Sequence, residues 1–256
     1  MRITGIVKLI AYDVREKTLI IIPTYNEREN IVDLLKQIRE IAPGAHVAVV
    51  DDRSPDGTGD VVRSFSGSAE GAAVTLIERS GTRGLGNAYR EGLRYGLDHG
   101  YDVLLTMDAD FSHNPLHLPA LLEASRDHDV TIGSRYVRDG GTINWRIRRI
   151  LLSWLANRFA RSILNLQGAD LTSGYRAYRR KILEEIGPEN VRSNGYSFLV
   201  EMLFRAQRNH ARVAEVPIIF FDRTMGASKI SRREIFLSVL TILRLRCGRF
   251  RDDHGK

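Results

Sequence analysis

Five short apolar runs, each closed by polar or acidic residues and four of them followed by a stretch of helical period, constrain this chain more than any other feature. They are Leu19-Ile20-Ile21-Ile22, Val47-Ala48-Val49-Val50, the run over 74–77, Val103-Leu104-Leu105 and Val130-Thr131-Ile132. Continuous β-branched runs of this length read as strands buried on both faces. Between them Ile31, Leu34, Leu35, Ile38 and Ile41 recur at helical spacing over 26–41, a helix begins at Val61-Val62-Phe65, and 88–97 and 116–124 are helical as well. Strand and helix in alternation with short connections predict an α/β fold, a mostly parallel doubly wound sheet with helices on both faces. Ligands of such sheets bind beyond the carboxyl ends of the strands. The polar groups collect at that edge: Tyr25-Asn26-Glu27, Asp51-Asp52, Arg79 with Arg83, Asp108 with Asp110, and Ser134-Arg135.

The chain is long enough, at 256 residues with 43% hydrophobic, for one large domain and its core. A single cysteine, Cys247, excludes an internal disulfide framework. No apolar stretch approaches the roughly 20 residues that cross a bilayer, and residues 1–17 read as an N-terminal extension without a secretory signal. The net charge of +7 is unevenly spread. Seven arginines between Arg135 and Arg161 face one acid, Asp139, and eight basic residues between Arg223 and Arg251 face Glu234 alone. Such blocks attract phosphates.

Several rim groups have chemistry of their own. Asp108 and Asp110, two apart after a strand, can turn towards one hard cation such as Mg²⁺ or Mn²⁺, which prefers oxygen ligands, or can simply be solvated acids. One of Asp51 and Asp52 can accept from a nucleobase or ribose, or can cap the loop that follows. The turn over 81–87, with three glycines and Arg83, can bring N–H groups to a phosphate. It is neither a dinucleotide fingerprint nor a P-loop. His113 and His117 lack the zinc-protease pattern. Over 143–166, Ile147, Ile150, Leu151, Trp154, Leu155, Phe159 and Leu164 form an apolar stripe flanked by Arg146, Arg149, Arg158 and Arg161. This is the composition of an interfacial helix, and 234–245 is amphipathic too; a solvated helix face or an internal helix packed on the sheet is the competing reading.

In order, the rim residues resemble the family-2 inverting glycosyltransferases, in their dolichyl or polyprenyl phosphate mannosyltransferase branch. The resemblance rests on Ile22-Pro23-Thr24-Tyr25-Asn26-Glu27, Val50-Asp51-Asp52, Gly84-Leu85-Gly86, Met107-Asp108-Ala109-Asp110, Gly133-Ser134-Arg135-Tyr136, Asn144-Trp145, Thr172-Ser173-Gly174-Tyr175-Arg176 and Ser228-Lys229. It implies a GT-A-like catalytic domain over 18–229, with 143–166 as an interface helix, and 230–256 as a C-terminal amphipathic helix with a basic tail. The implied reaction moves mannose from GDP-mannose to dolichyl or polyprenyl phosphate. Pro23, Tyr25, Glu27, Asp51, Asp52, Arg83, Asp108 and Asp110 would hold the nucleotide sugar. Asp108, Asp110 and Ser112 would form the metal set for Mg²⁺ or Mn²⁺. A lipid phosphate is already an oxyanion and needs cations rather than a base. Arg135, Arg149, Arg223 and Lys229 supply them, with Ser153 as a neutral donor. Asp110 and Arg135 are expected at the reacting centre, and Asp170 is expected to orient the sugar. The implied location is peripheral, on the cytoplasmic face of a membrane, with the membrane surface as partner and room for a membrane-anchoring partner subunit.

Three other readings compete: transfer from UDP-glucose or another nucleotide sugar to polyprenyl phosphate, a nucleic-acid binder using the basic blocks, and a silent membrane scaffold. The carboxylates of the rim would repel a nucleic-acid backbone, so no nucleic-acid partner is expected.

Overall fold

The computed structural model describes residues 16–222 and 232–248. The extension before Glu16, the tail after Gly248 and two of the expected acceptor residues, Arg223 and Lys229, lie outside the described residues. The chain runs β1 (Thr18–Thr24), α1 (Arg28–Ile41), β2 (His46–Asp51), α2 (Thr58–Ser66), β3 (Val74–Glu78), α3 (Leu85–Asp98), β4 (Val103–Thr106), α4 (Leu118–Ala124) and β5 (Val130–Ser134). It continues with β6 (Gly141–Ile143), α5 (Ile147–Leu164), β7 (Arg176–Arg179), α6 (Arg180–Ile186), α7 (Tyr196–Arg208), β8 (Val213–Pro217), β9 (Ile219–Phe221) and α8 (Arg232–Arg246).

Seven strands form one sheet in the order β3-β2-β1-β4-β7-β5-β8. β1 pairs parallel with β2 and β4, β2 with β3, and β5 with β8. β7 alone runs antiparallel, between β4 and β5. β6 and β9 make a separate parallel pair. The five expected strands are all present. What the apolar pattern did not signal are the short β6, and β7, whose sequence Arg-Ala-Tyr-Arg carries charge at both ends.

Both sheet faces are covered. Ile20 and Ile22 of β1 point into a core with Ile31, Leu34, Leu35 and Ile38 of α1 and Leu118 and Leu121 of α4. Leu19 and Ile21 point the other way, towards Leu93 of α3 and residues of α6 and α7. Burying one such aliphatic side chain contributes about 1.5–3 kcal/mol. α3 lies unusually close to the sheet because two of its residues lack side chains. A Cβ at Gly92 would stand 2.4 Å from Ile21 Cγ2, and one at Gly96 2.3 Å from Leu104 Cδ2.

The residues of α5, those of the expected apolar stripe among them, meet three surroundings. Asn157, Ala160 and Leu164 face the body of the protein and are buried. Leu152, Leu155 and Phe159 line a cavity. Ile147, Leu151 and Trp154, at i, i+4 and i+7, face outward, and Ile147 is 82% exposed. α8 packs against α5 and α7, buries Ile242 and Leu245, and exposes Leu237, Val239 and Leu243.

Candidate active site

A cavity of about 440 Å³ opens at the carboxyl edge of β1, β4 and β5. Its polar wall carries Glu27, Asp108, Asp110, Arg135, Arg149 and Ser153, and Pro23 and Gly174 close in beside them. The acidic pair and the two arginines therefore share one space. Away from them the lining turns apolar, with Leu155 and Phe159 from α5, Leu199 and Val200 from α7, and Val239 and Ile242 from α8.

The acidic wall follows β4. The backbone N–H of Asp108 donates to His113 Nδ1 at 3.0 Å, and the Tyr89 hydroxyl donates to Asp108 Oδ1 at 3.3 Å. Because Nδ1 accepts, the His113 ring is neutral with its proton on Nε2, and the 3.8 Å approach to Asp108 Oδ2 is not an ion pair. Burial holds His113 below the ordinary histidine value, although Asp108 and Asp110 oppose the shift. Burial, then the neighbouring Asp108, pushes the Tyr89 hydroxyl well above the usual tyrosine value, so it remains a donor. Gly174 comes so close that a Cβ there would stand 2.9 Å from the Tyr89 hydroxyl and 3.7 Å from Asp108 Oδ1.

The basic wall is built from β5, α5 and the loop before β7. Arg135 is buried and held bidentate by Asp170, Nε to Oδ2 at 2.6 Å and NH2 to Oδ1 at 2.7 Å, with a third bond from NH2 to Thr172 Oγ1. Burial alone would raise the Asp170 carboxyl. The Arg135 guanidinium overcomes this and holds it below the usual range. Arg149 pairs with Asp222 at 2.5 Å and lies 4.0 Å over the Trp145 ring.

The comparisons with known proteins accord with this arrangement. The family described as Glycosyl transferase family 2 matches residues 19–187. The chain belongs to that family. It is 45% identical over 228 residues to the undecaprenyl-phosphate mannosyltransferase of Micrococcus luteus, covering 89% of this chain and 93% of that protein. To the polyprenol monophosphomannose synthase of Mycolicibacterium smegmatis it is 45% identical over 221 residues, covering 86% and 83%. Its fold is similar to glucosyl-3-phosphoglycerate synthase of Mycobacterium tuberculosis, solved with Mn²⁺, UDP and glucosyl-3-phosphoglycerate. That match has a TM-score of 0.65 at 18% identity, over 97% of this chain and 86% of that one.

In this family 2 transferase the expected site residues fall into two groups. Pro23, Glu27, Asp108, Asp110, Arg135, Arg149 and Ser153 line the cavity. Tyr25, Asp51, Asp52, Arg83, Ser112 and Asp170 do not. Tyr25 and Arg83 stack on each other at the rim, 4.2 Å from guanidinium to ring. Asp51 is buried, its carboxylate accepting the Thr24 hydroxyl and both the N–H and the hydroxyl of Ser54. Asp52 pairs with Arg79 and accepts the N–H of Gly84. Both are already engaged in holding the loops around the rim, so the capping alternative describes Asp51. Asp170 is fully buried behind Arg135. There it grips Arg135 with both carboxylate oxygens.

The donor set fits a hard divalent cation. Asp108 and Asp110 offer oxygen only, and Ser112 Oγ is buried with no hydrogen-bond partner, while Ser112 N–H donates to Asp110 Oδ1. Among the described residues no group of three or more His, Cys, Asp or Glu could enclose an ion. An ion held there would take its remaining ligands from water and substrate phosphate, the usual habit of Mg²⁺. Sequence reasoning missed Tyr89, Trp145 and Asp222 as site residues. Trp145 lies in the Asn144-Trp145 motif, which by itself says nothing of its role, and Tyr89 and Asp222 carry no sequence signal.

Proposed function

We propose that this chain is an inverting glycosyltransferase that moves mannose from GDP-mannose to a polyprenyl phosphate. One observation carries the reading: two carboxylates and two arginines face each other across one cavity whose other end is apolar. The names of relatives 45% identical over most of the chain support the same donor sugar and acceptor class.

The chemistry follows from charge. The acceptor phosphate oxygen, already ionised, attacks the anomeric carbon from the face opposite the nucleotide. The new bond to the phosphate oxygen forms as the bond to the diphosphate breaks, and the electron pair leaves with GDP. No base is needed, because no proton has to be removed. Asp108 and Asp110 are the residues that would hold Mg²⁺ or Mn²⁺, which when bound supplies Lewis-acid stabilisation to the departing diphosphate. Arg135, Arg149 and Ser153 position the acceptor. Asp170 offsets part of the Arg135 charge, so the arginine orients the phosphate without quenching its nucleophilicity. Asp222 occupies Arg149 until the acceptor displaces it.

No helix among the described residues is long and apolar enough to cross a membrane. The outward face of α5 supports a peripheral placement: Ile147, Leu151 and Trp154 are exposed, with Arg158 stacked over Trp154. Each basic residue near an anionic leaflet adds about 1 kcal/mol. The lipid phosphate would then enter from the α5–α8 side while its tail stays in the bilayer.

The test is transfer itself. The protein is incubated with Mg²⁺ or Mn²⁺, short polyprenyl phosphates, and labelled GDP-mannose or UDP-glucose in parallel. Lipid-extractable label from GDP-mannose is expected. Label from UDP-glucose alone would reassign the donor, and no label from either would overturn the reading.

A further inference from the structure

α5 carries one buried polar side chain in its middle, Asn157, 4% exposed. A buried amide is costly unless its hydrogen bonds are made, and all those of Asn157 run within the acceptor wall. Its Oδ1 accepts the N–H of Leu171 at 2.7 Å. Its Nδ2 donates to the Ser153 carbonyl at 2.9 Å and to Thr172 Oγ1 at 3.3 Å. The same Thr172 hydroxyl accepts from Arg135 NH2 at 2.8 Å and donates to Asp170 Oδ1 at 3.2 Å. One hydroxyl can donate once and accept twice, so Thr172 is saturated by this arrangement.

The segment over 169–173 is held from three sides. Glu215 of β8 accepts the N–H groups of Ala169 and Asp170. Arg176 of β7, fully buried, donates to the carbonyls of Leu171 and Ser173. Asn157 is the hold that comes from α5, the helix that also carries Arg149 and Ser153. Leucine would suit a buried helix position as well, but it would leave the Leu171 N–H without its acceptor and Thr172 with one of its two donors, Arg135, and not the other.

We propose that Asn157 is a positioning residue for the acceptor, fixing Arg135, through Thr172, relative to Arg149 and Ser153 on α5. This inference rests on the acceptor-phosphate reading given above. Two cations must meet one phosphate from two separate elements, and Asn157 sets the distance between those elements. The donor wall, built on β1 and β4, is untouched by it.

The test uses the full chain with Mn²⁺, GDP-mannose and farnesyl phosphate in detergent, comparing Asn157→Ala, Asn157→Asp, Thr172→Val and the Asn157→Ala/Thr172→Val pair. Asn157→Ala should raise the acceptor KM about tenfold and leave the donor KM within about twofold. Asn157→Asp keeps an acceptor for Leu171 and should recover part of the loss. The double variant should be no worse than the poorer single one, because both act on one contact. Donor and acceptor KM rising together, an unchanged acceptor KM, or multiplying effects in the double variant would overturn the proposal. If Asn157→Ala does not fold, Asn157→Asp and Thr172→Val decide the same question. Failure of the acceptor reading is distinguishable, since wild-type protein would then neither bind nor mannosylate farnesyl phosphate, and this inference would fall with it.

Discussion

The two walls of the cavity are made differently. The acidic wall stands on parallel strands buried on both faces, and the loops beside it are fixed by internal bonds: Asp51 to Thr24 and Ser54, Asp52 to Arg79 and Gly84. The basic wall stands partly on a helix that leaves Ile147, Leu151 and Trp154 uncovered, and its arginines, Arg135 after β5 and Arg149 on α5, are held by side-chain carboxylates, Asp170 and Asp222. A nucleotide sugar arrives from solution and meets a rigid rim. On the proposed reading a lipid phosphate would arrive tethered to a bilayer and meet cations already paired with carboxylates. The contrast explains why one half reads as a generic sugar-nucleotide scaffold and the other as the specialised part.

The sharpest way to break the comparison is to disable one wall and ask whether the other survives. Asp110→Asn should cut transfer about 10²- to 10⁴-fold while farnesyl phosphate still binds, measured by titration calorimetry. If acceptor binding collapses as well, the walls are not separable. Asp170→Asn should act on stability first. It leaves the Arg135 charge buried and uncompensated, which typically costs about 3–5 kcal/mol and is read as a lower denaturant midpoint. The sign with pH is fixed by the depressed carboxyl of Asp170. Its contribution is present above the unfolded carboxyl value, about 3.9, and is lost as pH falls through the folded one. Wild type should therefore lose stability in acid more steeply than Asp170→Asn.

Smaller effects sharpen the picture of the basic wall. Replacing Ile147, Leu151 and Trp154 together by serine should weaken binding to anionic vesicles by about tenfold or more, as measured by sedimentation, with little change in transfer to a short acceptor in detergent. Equal losses in both assays would place the outward face of α5 in the reaction rather than at the membrane. Asp222→Asn should have the mildest consequence. The pair it makes with Arg149 is partly exposed and worth up to about 1 kcal/mol, so releasing it should lower the acceptor KM by up to about fivefold. A higher acceptor KM would show that Asp222 orients Arg149 instead of competing for it.

Much of the donor half was legible in the sequence because parallel buried strands are written as continuous apolar runs, and the acids follow directly after them. Asp108, Asp110, Pro23 and Glu27 could be placed from chain order alone. The acceptor half was harder to read. Asp170 stands out in the sequence because it precedes a Thr-Ser-Gly turn, but its partner Arg135 is 35 positions away, a pairing no local pattern carries. The α5 stripe looked single because helical spacing cannot say which of three neighbours, protein body, cavity or exterior, each apolar residue meets. β7 escaped because Arg176 is charged and still fully buried, its guanidinium satisfied by the carbonyls of Leu171, Ser173 and Leu199.

That antiparallel strand has a further consequence for how the molecule comes into being. Among the described residues, β5 and β8 join the rest of the main sheet only through the short strand β7, which pairs with β4 over four residues and with β5 over three. A ribosome would finish β1 to β4 well before Arg176 emerges, so the strands behind the acidic wall can pair early while β5 and β8 wait for their keystone. Late closure of non-local strand pairs is slow, and agents that loosen β7 would be expected to part the two substrates' territories before either one melts.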